Sequence, residues 1–156
     1  MPPGTGPTRD RVLESPAARA LAARARAAQQ EEIGFTYSDG LGRDFYVWTH
    51  EGEAPLEALD YVAALVKTLP HGWELKELSV LVVDSVDMPA YCDSDVAQAC
   101  YQPRDPDRSF EGTMIVAWDD PELPHTVAHE YGHHLDNARL NIAHLPSLEC
   151  RDYSAD

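Results

Sequence analysis

The fold class follows from one nearly continuous apolar run, Leu78-Ser79-Val80-Leu81-Val82-Val83. A run of this kind is typical of a strand covered on both faces, because a strand with one face in water alternates apolar and polar residues. Two further segments, Phe45–His50 and Thr113–Trp118, have the aromatic and β-branched composition of strands. The sequence therefore predicts a small sheet built from these three strands.

Helical periodicity accompanies the strands. Between Pro55 and Pro70, large apolar residues recur every three or four positions, namely at Leu56, Leu59, Val62, Val66 and Leu69. A second helix is predicted from about residue 121 to about residue 141, and a long polar loop from Asp84 to Glu111. The predicted order is strand, helix, strand, long loop, strand, helix and tail. This order indicates an α/β (α+β) fold, a small sheet backed by helices.

The first 32 residues differ in composition from the rest of the chain. Residues 1–10 are rich in proline and glycine, and residues 15–32 are dominated by alanine and arginine with almost no large apolar residue. A helix of that composition has little to bury against a core. We therefore expect residues 1–32 to form a flexible, partly helical arm and residues 33–156 to form one folded domain.

Charge and hydropathy exclude several classes of partner. The 156 residues include 12 basic and 27 acidic side chains, which gives a formal net charge of −15. A surface of this charge repels phosphate groups, so nucleic acid is not an expected partner. No segment approaches the roughly 18 apolar residues of a membrane span, and the N-terminus lacks the pattern of a secretory signal. The default expectation is a cytoplasmic protein without a membrane partner, although export by another route stays open.

The chain has three cysteines, an odd number that argues against a disulfide framework. Cys92 and Cys100 lie eight positions apart in the predicted polar loop and could pair in an oxidising environment. Cys150 would then be the one cysteine without a disulfide partner in the chain.

The segment His129-Glu130-Tyr131-Gly132-His133 carries the clearest chemical signal. His129 and His133 are one helical turn apart, so both imidazoles project from the same side of the predicted helix. At that spacing two imidazoles can reach one zinc ion, at zinc–nitrogen distances of about 2.0–2.1 Å. Glu130 lies roughly 100° further around the helix. From there it can accept a proton beside the metal without binding it.

The rest of this helix divides into two sides. At 100° per residue, one stripe contains His125, His129, His133 and Asp136, whereas Val127, Tyr131 and Ala138 fall on the opposite side. The arrangement indicates a helix that buries one side and presents metal ligands on the other. Asp136 could hydrogen-bond a ligand imidazole and fix its tautomer. His125 is either close to the substrate or simply solvated, and His134 faces away from the stripe.

The stretch from His125 to Asp136 resembles the active-site helix of the zincin metallopeptidases, and His129–His134 is similar to bacterial neutral zinc metallopeptidases with an HEYGHH helix. The resemblance implies that His129 and His133 bind Zn²⁺. It also implies that Glu130 is the general base for a zinc-activated water that hydrolyses peptide bonds. The family's edge strand, which precedes this helix and binds the substrate backbone, would be Thr113–Trp118. An endopeptidase acting on peptides or proteins is the expected activity.

The third zinc ligand is the open question of this site. The zincin subgroup whose third ligand lies six residues past the second histidine is disfavoured, because that position holds Arg139. In the gluzincin branch the third ligand is a glutamate on a following helix, which makes Glu149 the candidate. His144, Asp152 and Asp156 are the alternatives.

Two points about function also depend on the C-terminal segment. His144 and Tyr153 are the candidates for stabilising the oxyanion that forms during peptide hydrolysis. The alternative function is a non-catalytic zincin-like module that binds a protein partner through the same domain, with a vestigial or incomplete zinc site.

Overall fold

The computed structural model describes residues 30–94, 96–105 and 109–140, together with Ala18, Leu21, Ala22 and Ala25. Within these residues the main elements are five strands and three α-helices. In chain order they are β1 (Glu32–Ser38), β2 (Asp44–His50), α1 (Leu56–Thr68), β3 (Leu78–Val83), α2 (Met88–Cys92), β4 (Ala99–Asp105), β5 (Ser109–Ala117) and α3 (Leu123–Leu135). Short 3₁₀ segments at Trp73–Glu77 and Ser85–Asp87 flank β3, and a π-helical segment, Asp136–Leu140, continues α3.

The five strands form one mixed sheet in the order β1-β2-β3-β5-β4. The central strands β2, β3 and β5 are parallel, while β1 and β4 pair antiparallel with their neighbours at the two edges. The helix crossovers explain the parallel centre, because a parallel pair needs a long connection that usually contains a helix. The expected α/β (α+β) architecture is confirmed.

One face of the sheet, which we call the helical face, is covered by α1 and α3. Helix α1 buries residues spaced three and four apart, namely Leu59, Val62, Ala63 and Val66, which is the spacing that the sequence indicated. Helix α3 contributes Val127 and Tyr131 to the same apolar core, where both side chains are almost fully buried. The core between helices and sheet therefore fixes which side of α3 faces inward.

The opposite face, which we call the short-helix face, is covered by α2. Its buried cluster consists of Leu81, Val83, Met88, Ile115 and Ala117. Because β3 sends Val80 and Val82 to one face and Leu81 and Val83 to the other, it is buried on both sides, as predicted. A disulfide between Cys92 and Cys100 joins α2 to β4, with the two Cα atoms 5.8 Å apart.

Two expectations about the strands were wrong. The segment from Asp84 to Glu111 is not a polar loop, because it contains α2, β4 and the beginning of β5. Thr113–Trp118 is not an edge strand either: β5 ends at Ala117 and pairs with β3 on one side and with β4 on the other. The edge beside α3 is β4, whose few apolar residues did not stand out from the polar sequence around them.

The region of the predicted arm lies almost entirely outside the described residues, and so does every residue after 140. Among the described helices, none has the length and apolar character that crossing a membrane requires.

Candidate metal centre

Helix α3 is oriented by its apolar side. It begins at Leu123 with a proline in its first turn, where proline's missing N–H costs no helical hydrogen bond. Val127 and Tyr131 are 0% and 2% exposed, so they form the side of α3 that packs into the apolar core. His125 is exposed and His129 is partly buried on the predicted histidine stripe. The predicted apolar side is therefore observed, but the stripe is not uniformly open to solvent, because His133 is buried.

The two predicted imidazole ligands lie together. The ring centroids of His129 and His133 are 5.5 Å apart, with the ring planes at 66° to each other. Glu130 lies between them in sequence and is 6% exposed. The two imidazoles are therefore neighbours on α3, and Glu130, which follows the first of them, is largely shielded from water.

His133 has a more enclosed environment than His129. It is 8% exposed, and its ring lies nearly parallel to that of Tyr101 in β4, with 6.5 Å between centroids and 12° between planes. Burial and the neighbouring His129 lower the pKa of His133 to about 4, against the opposing charge of Asp136. His133 is therefore neutral at physiological pH, which is the state in which an imidazole binds a metal ion.

His134 has a different role from its neighbour. It is completely buried. Its Nε2 lies 2.7 Å from the backbone carbonyl of Glu74, and its Nδ1 lies 2.8 Å from the Tyr101 hydroxyl. A carbonyl only accepts, so Nε2 carries the proton. Since burial lowers the pKa of His134, the ring is neutral and Nδ1 accepts a hydrogen bond from Tyr101. The prediction that His134 is not a ligand agrees with this geometry.

A buried carboxylate, Glu74, supports α3 from the 3₁₀ segment before β3. It accepts hydrogen bonds from the Tyr131 hydroxyl at 2.7 Å, from the Gly72 amide at 2.7 Å and from Arg139 at 2.6 and 3.0 Å. Burial alone would raise the pKa of Glu74, but these bonds outweigh it and lower the pKa to about 2. Arg139 has a structural role as the partner of Glu74.

Sequence reasoning missed both Glu74 and Tyr101. Glu74 lies 57 residues before Tyr131 and 65 before Arg139, and no local pattern marks it as buried. Tyr101 could have been found from alternation in β4, where Cys100 belongs to the short-helix face and Tyr101 to the helical face.

The described residues do not supply a third ligand. Within residues 30–94, 96–105 and 109–140 there is no group of three or more His, Cys, Asp or Glu side chains arranged to hold a metal ion. The third-ligand candidate Glu149 and its alternatives His144, Asp152 and Asp156 lie outside the described residues, as does the oxyanion candidate Tyr153. Asp136 lies in the π-helical segment, and its negative charge acts on His133.

Comparison with known proteins adds no identification: no family model, curated protein or solved structure matches the chain.

Proposed function

We propose that this protein is a zinc-dependent peptidase whose site is built on α3. The observation that carries the proposal is the pair His129 and His133, one helical turn apart with 5.5 Å between ring centroids, together with the buried Glu130 next to His129 in sequence. This is the spacing at which two imidazoles on one helix reach a single metal ion while the glutamate between them stays beside it.

The two donors among the described residues are of a kind that zinc binds. Zinc prefers nitrogen donors in a tetrahedral arrangement, and burial keeps His133 in the neutral form that donates a lone pair. When bound, zinc would supply a Lewis acid that polarises a carbonyl group and lowers the pKa of water toward about 7. His129 and His133 would hold the metal together with a third ligand from the segment after residue 140, for which Glu149 is the first candidate.

Glu130 is the proposed proton carrier. In this role its carboxylate accepts a proton from the attacking water and later returns it to the leaving amine of the cleaved peptide. At 6% exposure it is largely removed from bulk water, which strengthens its interaction with a nearby reacting group. Asp136 would act on the orientation and basicity of the ligand His133.

The proposed substrate-binding edge is β4 rather than Thr113–Trp118. In the described part of the chain, β4 pairs with β5 along one side only, so its other side can accept an extended peptide by backbone hydrogen bonding. Tyr101 in this strand contacts His133. A peptide along β4 would consequently run close to the two histidines.

Metal content tests the site first. The chain purified without chelator should contain close to one zinc per molecule, and the double variant His129→Ala/His133→Ala should contain almost none. His125→Ala is the matched control, because His125 lies on the same stripe at the exposed end of the helix and should leave zinc content unchanged. Absence of zinc from the unmodified chain, even after reconstitution with zinc salt, would reject the proposal.

Catalysis requires a separate test. Glu130→Gln should keep its zinc but cleave an unfolded protein such as casein at least about 100-fold more slowly, the usual range for loss of a general base. Cleavage at the original rate would remove Glu130 from its role. Zinc binding by the unmodified chain without cleavage of any peptide or protein tested would favour the non-catalytic alternative.

The third ligand can be assigned by single substitutions. Glu149→Ala, Asp152→Ala and His144→Ala should be compared by zinc affinity, measured in competition with a chromogenic chelator. The ligand's variant should bind zinc at least about tenfold more weakly, the lower limit expected even for an outer-shell partner, and the other two should resemble the unmodified chain.

The compartment remains a prediction. Disulfides persist in oxidising compartments and are rare in the cytosol, so the Cys92–Cys100 pair favours an oxidising location over the cytoplasm. Alkylation of the protein at cell lysis followed by mass spectrometry would distinguish them, because a cytoplasmic protein should have all three cysteines labelled.

A further inference from the structure

The side chain of Tyr101 packs over a glycine of β5. Gly112 is opposite the end of β4, and a Cβ atom built on Gly112 would overlap the ring and the hydroxyl of Tyr101. A glycine within a strand often marks the close approach of another group. Tyr101 is 8% exposed, so its ring fills the space that the absent side chain leaves on the helical face.

The hydroxyl of Tyr101 is held from two sides. Asn137 Nδ2 donates to it at 2.9 Å, and it donates in turn to His134 Nδ1 at 2.8 Å. One hydrogen bond comes from the π-helical segment and the other goes to α3, so the phenol connects the edge strand to both. Gly112 beneath the ring and the burial of Tyr101 on the helical face leave the ring little freedom to tilt.

The ring of Tyr101 lies beside that of His133, the proposed zinc ligand. We propose that Tyr101 is a positioning residue for the metal site: its ring, seated over Gly112 and buried on the helical face, holds the imidazole of His133 in the orientation that binds zinc. This inference rests on the proposed function. The physical reason is that the outer torsion of histidine is broad and roughly two-fold, so the ring angle is set by the groups that it packs against.

The ring and the hydroxyl of Tyr101 make separable predictions. Tyr101→Leu removes the flat surface next to His133 and should weaken zinc binding about tenfold, at the lower end of the effects of outer-shell partners. Tyr101→Phe keeps the ring and loses the hydroxyl, so zinc affinity should stay within about threefold of the unmodified chain. Tyr91→Leu is the matched control, because Tyr91 stacks on His50 with 6.3 Å between centroids and 17° between planes, on the short-helix face. It should not change zinc affinity.

A second pair of variants, one test and one control, changes the position of the Tyr101 ring without substituting Tyr101 itself. Gly112→Ala should displace Tyr101 and weaken zinc binding as Tyr101→Leu does. Gly34→Ala is its control, since a Cβ at Gly34 would meet the ring of Tyr46 in the same way, and Tyr46 is in β2, away from the histidine pair. Both alanine variants should lose stability, but only Gly112→Ala should lose zinc affinity.

Cobalt substitution provides a readout that a merely structural role would not change. The visible absorption of a Co²⁺-loaded protein reports ligand geometry, so the spectrum should shift in Tyr101→Leu and Gly112→Ala and should stay the same in Tyr101→Phe and Gly34→Ala. Zinc affinity and a cobalt spectrum unchanged in Tyr101→Leu would overturn the role of Tyr101. Equal losses in the Leu and Phe variants would overturn it too, because the ring would then not be the part that acts. If the unmodified chain binds no zinc at all, the proposed function fails and this inference fails with it, which is a different result from equal binding by all variants.

Discussion

The two faces of the sheet repeat the same local motifs with different surroundings. Each face has a tyrosine stacked on a histidine, Tyr101 on His133 and Tyr91 on His50. Each face also has a glycine beneath a tyrosine ring. On the helical face these motifs join a network of hydrogen bonds that includes the buried Glu74. On the short-helix face, Tyr91 packs against an apolar cluster next to a disulfide, and Tyr46 donates a hydrogen bond to Glu32.

The two faces differ in whether directional hydrogen bonds or apolar contacts surround the stacked tyrosine and histidine. Hydrogen bonds have preferred directions, so a fully bonded polar network fixes the angles of the side chains within it. Apolar burial has no direction and stabilises in proportion to the area removed from water. The helical face contains both the candidate metal centre, where angles matter, and the larger apolar cluster, whereas the short-helix face has a smaller apolar cluster and a disulfide. The following predictions test this division, beginning with the largest effect.

Removing Glu74 should have the largest effect on stability. Glu74→Ala leaves the buried hydroxyl of Tyr131, the Gly72 amide and the guanidinium of Arg139 without their acceptor. We expect the free energy of unfolding to fall by about 3–5 kcal/mol, the range for breaking a buried ion pair, as measured by urea denaturation. Arg139→Ala should cost less than Glu74→Ala, because the carboxylate would keep two of its donors. A loss below about 1 kcal/mol for Glu74→Ala would show that the network contributes little.

Reducing the disulfide should have the next largest effect. The Cys92–Cys100 bond closes a loop across a sequence separation of 8 residues, and the loss of a loop of that size costs about 2–3 kcal/mol in the chain-entropy model. The measurement compares urea denaturation with and without dithiothreitol in a Cys150→Ser background, so that only this pair responds. Equal stability in both conditions would mean that the short-helix face depends on burial alone.

Acid should weaken the helical face through the titration of Glu74. The pKa of Glu74 is lowered from 4.5 to about 2 in the folded chain. A lowered carboxyl pKa stabilises the fold above the unfolded-state pKa, and that stability is lost as pH falls through the folded-state pKa. We therefore expect about 2 kcal/mol of stability to disappear between pH 4.5 and pH 2, in metal-free protein. Glu74→Gln should lack this part of the acid loss, and Glu57→Gln, on the exposed side of α1, should retain it.

The elements that sequence could predict are those with one strong local pattern. Helix α1, strand β3 and the two-sided α3 follow from apolar spacing that repeats within a few residues. The edge strands β1 and β4 were missed because their few apolar residues are separated by polar residues, by Gly34 in β1 and by Pro103 in β4, so the apolar signal is weak. The fold class needed only the strong elements and was predicted correctly.

The residues of the candidate site also divide into those with a local sequence pattern and those without one. His129, Glu130 and His133 were visible because their geometry depends on helical spacing alone. Tyr101 and Glu74 were not, because each reaches α3 from a different element across more than thirty residues. Side chains that support a site belong to the tertiary fold, and a single sequence gives no measure of which distant residues meet.

The smallest effect is expected at the histidine of the short-helix face, and it tests the comparison most sharply. Nδ1 of His50 is buried and has no hydrogen-bond partner among the described residues, whereas both ring nitrogens of His134 are bonded. A buried polar atom without a partner destabilises the fold, so His50→Leu, at similar volume, should change stability by less than about 1 kcal/mol and with either sign. His134→Leu should cost about 2–3 kcal/mol, because it leaves the Tyr101 hydroxyl and the Glu74 carbonyl without partners. Urea denaturation of the two variants measures the contrast. Similar losses at both positions would mean that the polar network does not distinguish the faces, whereas unequal losses would place the orienting hydrogen bonds on the face that contains the candidate metal centre.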